Sequence, residues 1–274
     1  MPYAPAGSLD VWYELHGEGP PLVLVMGLGG GGDAWAPLLP LFDGFTVVTL
    51  DNAGTGRTRD RATGAPPEPP YSTAGLAADL AELLRRLERG SAHVVGVSMG
   101  GAIAMHLAAR EPALVRTLTL CATWQRTDAL LARVFAFREP LLERGGEAAL
   151  QEYVALWAWA PRYWEEGGPA VASTAALISQ GDTEAWTEAE RRRYLGHLRA
   201  SIEHDAEALL PAIAAPTLVL VGDEDVLTPL RFAGAIAATV PDARLEVVPG
   251  QGHAFAFEDP ELFAQLVRDF AGRQ

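Results

Sequence analysis

The chain contains no lysine, because all 21 of its basic residues are arginine. That excludes Schiff-base chemistry, a pyridoxal anchor and a P-loop lysine. Cysteine is nearly absent too, with Cys121 alone in 274 residues, so no intramolecular disulfide can form. Cys121 ends the apolar run Leu118-Thr119-Leu120-Cys121, where a small thiol reads as inert packing. No run of about 18 apolar residues occurs, so no spanning helix is expected. The start, Met1-Pro2-Tyr3-Ala4-Pro5-Ala6-Gly7, lacks the basic and apolar stretches of a secretory signal, and a cytoplasmic protein is expected. Positive charge is short as well: 35 acidic residues give a net charge of −14. Nucleic acid and anionic membrane are poor partners for such a surface. There is no His-Glu-x-x-His motif and no cysteine cluster, so no metal is expected. His197 and His204 share a helix face but stand about 10 Å apart along it, too far to hold one ion. His93 and His106 fall on core elements and read as packed.

What is present is a rhythm of strands and helices. Leu9 to Leu15 alternates and reads as an edge strand, whereas Leu22 to Met26 is apolar enough for a strand buried on both faces. A glycine-rich loop, a short helix near Ala34 to Leu41 and a strand Phe45 to Leu50 follow. A helix capped by Ser72 or Thr73 should run to about Glu88. Strands His93–Val97, Val115–Cys121, Thr217–Val221 and Arg244–Val248 alternate with helices after Ser98, from Leu230 and from Pro260 to Phe270. The pattern predicts an α/β fold with a mostly parallel sheet flanked by helices. Between Trp124 and about Leu210 only helical periodicity is found. The expected organisation is therefore a core domain of residues 1–122 and 211–274, with 123–210 as a helical lid inserted in it.

The most informative residue is Ser98, in Gly96-Val97-Ser98-Met99-Gly100. This G-x-S-x-G lies between a strand and a helix, on a sharp turn that projects the hydroxyl into open space. A serine nucleophile needs a base, and the base needs an orienting group. Two loops supply them in order, each directly after a buried strand: Gly222-Asp223-Glu224-Asp225, with Asp223 and Asp225 as candidate acids, and Gly252-His253, with the base. A rival reading attaches to Gly27-Leu28-Gly29-Gly30-Gly31-Gly32, which satisfies G-x-G-x-x-G after a strand, with Asp51 ending the next strand. Dinucleotide binding on that loop would leave Ser98, Asp225 and His253 without a role.

These motifs together resemble the α/β-hydrolase superfamily, in particular its lidded members similar to 3-oxoadipate enol-lactonases and cofactor-free haloperoxidases. The resemblance rests on Gly96 to Gly100, on Gly222-Asp223-Glu224-Asp225 before Pro229, on Gly252-His253, and on the loop Asp51-Asn52-Ala53-Gly54-Thr55-Gly56-Arg57-Thr58. It implies Asp225 in place of Asp223 as the acid. It also implies an oxyanion hole from the backbone N–H groups of Leu28 and Met99, and a structural role for the Asp51 loop. Met26-Gly27 stands where many members have His-Gly. The activity implied is cleavage of a carboxylic ester or lactone through an acyl-enzyme, without cofactor, by a monomer or homodimer. A perhydrolase of haloperoxidase type and a non-catalytic ligand sensor remain open on the same fold. Five of seven tryptophans lie in the insertion, and Trp124, Trp157 and Trp159 are candidates for lining an apolar substrate pocket. Arg126, Arg133 and Arg138 leave an anionic substrate open.

Overall fold

The computed structural model describes residues 2–165 and 186–273. Nine strands form one sheet: β1 (Tyr3–Ala6), β2 (Leu9–His16), β3 (Pro21–Val25), β4 (Thr46–Leu50), β5 (Arg59–Asp60), β6 (Ala92–Val97), β7 (Val115–Cys121), β8 (Thr217–Gly222) and β9 (Ala243–Val248). Their order is β1-β2-β4-β3-β6-β7-β8-β9, with β5 paired to β2. From β4 to β9 every neighbouring pair is parallel, and β2 joins antiparallel to β4.

Helices cover both faces because the strands alternate. Val23, Val25, Val94, Leu118, Leu120, Val219 and Val221 point into one core. There they meet α1 (Thr73–Leu87), α2 (Met99–Arg110) and α7 (Leu230–Thr239). Their neighbours Leu22, Leu24, Val95, Val97, Leu218 and Leu220 point into the other, with Trp35, Phe42 and the helices α8 (Phe255–Glu258) and α9 (Pro260–Ala271). This is period two applied to a sheet buried on both sides. The α1 cap falls on Ser72, whose hydroxyl accepts from the N–H of Gly75 at 3.0 Å.

Two expectations are corrected. Leu9–Leu15 is not an edge, because β1 and β5 both pair onto β2. β1 has four residues with a proline among them, the short and interrupted composition that edges tolerate but periodicity does not flag. The helix near Ala34 to Leu41 is two separate 3₁₀ turns, Gly32–Trp35 and Leu39–Phe42. Pro37 and Pro40 explain this, since each removes a donor and blocks the preceding turn.

Between β7 and β8 lie α3 (Ala129–Ala136), α4 (Arg138–Ala158), α5 (Pro161–Glu165) and α6 (Glu188–Ile202). They sit over the carboxyl ends of the strands. The strand sequence turns back on itself at β3, since β4 lies on one side of it and β6 on the other. A crevice outside such a switch point is where open α/β sheets bind ligands. No helix among the described residues is long and apolar enough to cross a membrane.

Candidate active site

Ser98 follows β6 immediately and adopts φ 55° and ψ −122°, a left-handed conformation that a non-glycine residue holds only when its surroundings enforce it. They do. Its N–H donates to the Cys121 carbonyl at 3.0 Å, and its own carbonyl accepts from Thr123 Oγ1 at 2.8 Å. The flanking glycines are required sterically: a Cβ on Gly96 would strike the Gly100 carbonyl, and one on Gly100 would strike the Val25 carbonyl. Strand, turn and helix are therefore pressed together, and the hydroxyl is lifted off the sheet.

His253 reaches Ser98 from the loop after β9, with Nε2 2.9 Å from Oγ. Its Nδ1 lies 3.0 Å from Asp225 Oδ2, from the loop after β8. Asp225 is buried, and each of its oxygens is used. Oδ1 accepts from the N–H groups of Leu227 at 2.9 Å and Thr228 at 2.7 Å; Oδ2 accepts from Thr228 Oγ1 at 2.8 Å. Burial works against its ionised form, but His253 and the Thr228 hydrogen bonds outweigh burial and hold the carboxyl below its ordinary value. An ionised acceptor at Nδ1 fixes the proton there and leaves Nε2 free to accept from the serine. Asp223 instead accepts from the Gly250 N–H at 2.6 Å, in a pair that is exposed to solvent.

Sequence reasoning missed two supports of this arrangement. Thr228 Oγ1 stands 3.0 Å from His253 Nδ1 as well as touching Asp225; an Asp followed three residues later by Thr was the available signal. Glu258 is buried and accepts from Gly252 N–H at 2.7 Å and from Ala160 N–H at 2.8 Å. Burial raises its carboxyl above the ordinary value, against those two hydrogen bonds. No sequence pattern announces it.

Ser98 and His253 open on a cavity of about 160 Å³, walled by Met26, Leu28, Phe135, Val154, Leu227 and Phe257 among others. Leu28 is in this wall, and Met99 begins α2 with an N–H that no helical carbonyl can reach. Of the three tryptophans, Trp159 lines the cavity. Trp124 does not: it is fully buried behind Phe135, with Nε1 donating to Thr127 Oγ1 at 2.7 Å. Trp157 packs against Tyr153, away from the lining. Arg138 lines the cavity, Arg126 pairs with Glu207 at 2.9 Å on the surface, and Arg133 is exposed.

The glycine loop takes no dinucleotide geometry. It leads into a 3₁₀ turn, so it lacks the helix N-terminus on which a pyrophosphate sits. Asp51 is also occupied: Oδ1 accepts from Gly32 N–H at 2.8 Å, and Oδ2 accepts from Arg57 N–H at 2.8 Å and Nε at 3.1 Å. These three bonds tie the glycine loop to the loop after β4.

The remaining histidines are structural. His197 Nε2 lies 2.7 Å from the Ala53 carbonyl, His204 Nδ1 2.9 Å from Thr73 Oγ1, and His93 Nδ1 2.8 Å from Thr117 Oγ1. His106 meets His204 edge to face. Among the described residues no group of His, Cys, Asp and Glu could hold a metal ion. Burial pushes the Cys121 thiol well above its ordinary value.

Comparison with known proteins gives the family. Residues 20–260 match the α/β hydrolase fold family. The chain is 32% identical over 274 residues to RutD of Azorhizobium caulinodans, a protein named for carbamate hydrolysis, covering 99% of this chain and 98% of that one. The enol-lactonase of Burkholderia xenovorans LB400 superposes with a TM-score of 0.85 at 25% identity, over 99% of this chain and 100% of that one. A Mycobacterium tuberculosis protein named as a non-heme bromoperoxidase, BpoC, gives 0.80 at 28% identity, over 96% of each chain. The chain belongs to the α/β-hydrolase family.

Proposed function

We propose that this protein is a serine hydrolase that cleaves a carboxylic ester, lactone or related acyl compound through an acyl-enzyme on Ser98. The observation that carries the reading is the continuous chain of hydrogen bonds from Ser98 Oγ through His253 to Asp225, opening on an apolar cavity. His253 Nε2 takes the hydroxyl proton as Oγ adds to the substrate carbonyl. Asp225 holds the imidazole tautomer and offsets its charge. The backbone N–H groups of Leu28 and Met99 receive the oxyanion; elsewhere one such donor is worth about 3–4 kcal/mol of barrier. His253 then returns the proton to the leaving oxygen, and water repeats the sequence on the acyl-enzyme to release the acid. A carbamate carbonyl is attacked in the same way, so the name of the Azorhizobium relative places carbamates among the compounds to screen. The described parts of the expected lid, residues 123–165 and 186–210, act as a cap over this site, with Trp159 touching the substrate; residues 166–185 of that expectation lie outside the described residues.

The test is labelling with a fluorophosphonate, with the modified residue mapped by mass spectrometry. Labelling at Ser98, lost in Ser98→Ala together with ester turnover, supports the reading. Full turnover by Ser98→Ala refutes it. A folded protein that neither labels nor turns over esters, yet binds a small ligand, would be a sensor on this fold.

A further inference from the structure

Of the six residues from Gly27 to Gly32, five are glycine, so the loop that carries Leu28 has little stiffness of its own. An oxyanion hole needs the opposite, a donor already fixed where charge will develop. The Leu28 N–H suits that work, since it has no acceptor among the described residues. Its loop must be held from outside. At one end the Gly32 N–H donates to Asp51 Oδ1 at 2.8 Å. Within the loop the Gly30 N–H donates to the Gly27 carbonyl at 3.2 Å, and Gly29 turns at φ 76°. These are the marks of a tight turn with Leu28 and Gly29 at its centre.

A further hold comes from the cap. His197, on α6, is 1% exposed and bonded on both sides of its ring. Nε2 lies 2.7 Å from the Ala53 carbonyl, which can only accept, so Nε2 carries the proton. Nδ1 is then the acceptor, and the Gly29 N–H donates to it at 3.4 Å. That bond is long, but Tyr194, three residues earlier on the same helix face, closes on the same glycine. A Cβ on Gly29 would meet the Tyr194 ring at 3.2 Å. Burial lowers His197 to about 4, so at neutral pH the ring is uncharged and Nδ1 stays an acceptor. The helix is itself anchored. Thr127 Oγ1 donates to the Ser201 carbonyl at 2.6 Å. His204, just beyond the end of α6, lies 2.9 Å from Thr73 Oγ1 and 3.2 Å from the Trp124 carbonyl.

The geometry points to His197 as a positioning residue of the hydrolytic reaction: from the cap, its Nδ1 fixes the Gly29 peptide and so aims the neighbouring Leu28 N–H at the developing oxyanion. The catalytic consequence rests on the serine-hydrolase reading; the restraint itself does not. His197 does not line the cavity that holds Ser98, and it acts through the backbone alone. The cap is thereby a working part of the oxyanion hole as well as a wall against the substrate. Acylation and deacylation both pass through an oxyanion, so a loosened Leu28 N–H slows both steps. kcat and kcat/KM then fall together and KM holds, whereas damage to the pocket wall would raise KM.

The two ring nitrogens are tested separately. In H197N the amide oxygen falls where Nδ1 stood and accepts from Gly29, while the Ala53 bond is lost. In H197Q the amide nitrogen reaches the Ala53 carbonyl and Gly29 is released. With p-nitrophenyl butyrate, H197Q should lose about 10-fold in kcat, less than the roughly 100-fold for removing a donor outright, with KM within about twofold of wild type. H197N should keep kcat within about threefold and show the larger fall in Tm, having lost the shorter bond. Wild-type kcat in H197Q, or equal losses in the two variants, overturns the proposal. Amide hydrogen exchange in the peptide of residues 26–35, measured in Ser98→Ala protein, reads the restraint without turnover. Exchange should quicken when H197Q is added and hold when H197N is added; no change with H197Q overturns the restraint. If neither variant folds, nitrogen NMR of the histidine rings in unsubstituted protein decides, with the Nε2–H tautomer expected at His197 and the Nδ1–H tautomer overturning the proposal. Wild-type protein that cleaves no ester, with the exchange difference intact, would refute the hydrolase reading and the catalytic role while leaving the restraint. Ester cleavage undiminished in H197Q would refute this inference and leave the hydrolase reading standing.

Discussion

Acidification from pH 6.5 to 5 should destabilise this protein steeply, because four buried histidines are held neutral. Burial lowers His93, His106 and His197 to about 4, and His204 to about 3. The unfolded chain titrates these rings near the ordinary histidine value of about 6.5. At pH 5.5 it therefore binds about 3.6 protons on the four rings, while the native state binds almost none. Asp79 opposes this, since burial raises its carboxyl to about 6 and the native state keeps most of a proton there. The net difference is about 3 protons in favour of the unfolded state. Stability changes by about 1.4 kcal/mol per pH unit for each proton, so it should drop by about 4 kcal/mol for each unit of pH lost. The histidine contribution is fully present above about pH 6.5 and is lost as pH falls toward the folded values. Against a total of about 5–15 kcal/mol for an ordinary domain, that is enough to denature the protein between roughly pH 4 and 5. Urea unfolding at quarter-unit steps from pH 5 to 7 measures the slope directly. A slope below about 1.4 kcal/mol per unit, meaning one proton or fewer, would refute the argument.

Asp79→Asn should behave in the opposite sense, because a raised carboxyl costs the fold nothing below about pH 4 and a penalty that builds from there to about pH 6 and is complete above it. It should stabilise the protein by about 1–2 kcal/mol at pH 7.5 and by almost nothing at pH 4, read from urea midpoints at both values. Gly100→Ala places a methyl against the Val25 carbonyl; a loss of about 3 kcal/mol or more, or failure to fold, is expected, and a stability within 0.5 kcal/mol (roughly experimental error) of wild type would disprove the close approach. Thr228→Val removes the hydroxyl shared by Asp225 and His253. It should lower kcat/KM by about 10-fold, the worth of about one hydrogen bond to a charged group, with Tm recorded in parallel to exclude gross misfolding.

The parallel core was legible because its strands are buried on both faces and so read as unbroken apolar runs, Leu22–Val25 and Thr217–Val221 being the plainest. Ser98 and Asp225 were legible for a related reason: each follows such a strand, so locating the strands locates the loops, whereas His253 follows β9, the half-exposed strand at the end of the sheet. Side chains that act by filling space were not. Nothing local in the sequence separates Trp159, which faces the cavity, from Trp157 two residues earlier, which packs on Tyr153. Trp124 was misplaced because its position depends on Phe135 standing in front of it, a contact between α3 and the end of β7. Arg138 was legible as one of three arginines, and only burial sets it apart from Arg126 and Arg133. The edge strand β1 and the 3₁₀ turns turned on prolines, whose effect depends on which neighbour each one loses.

Glu258 ties Gly252, beside His253, to Ala160, beside Trp159. The same corner is fastened twice more, by the Ala254 N–H to the Ala158 carbonyl at 2.7 Å and by Tyr163 Oη donating to the Glu258 carbonyl. The base and the cavity wall next to it are thus one mechanical unit. Any displacement of the α4–α5 junction is transmitted to the imidazole, whereas α6, which carries Tyr194, is fastened elsewhere, with His197 Nε2 2.7 Å from the Ala53 carbonyl. Insertions or fusions at residues 158–163 would therefore be felt as lost reactivity before they were felt as lost affinity.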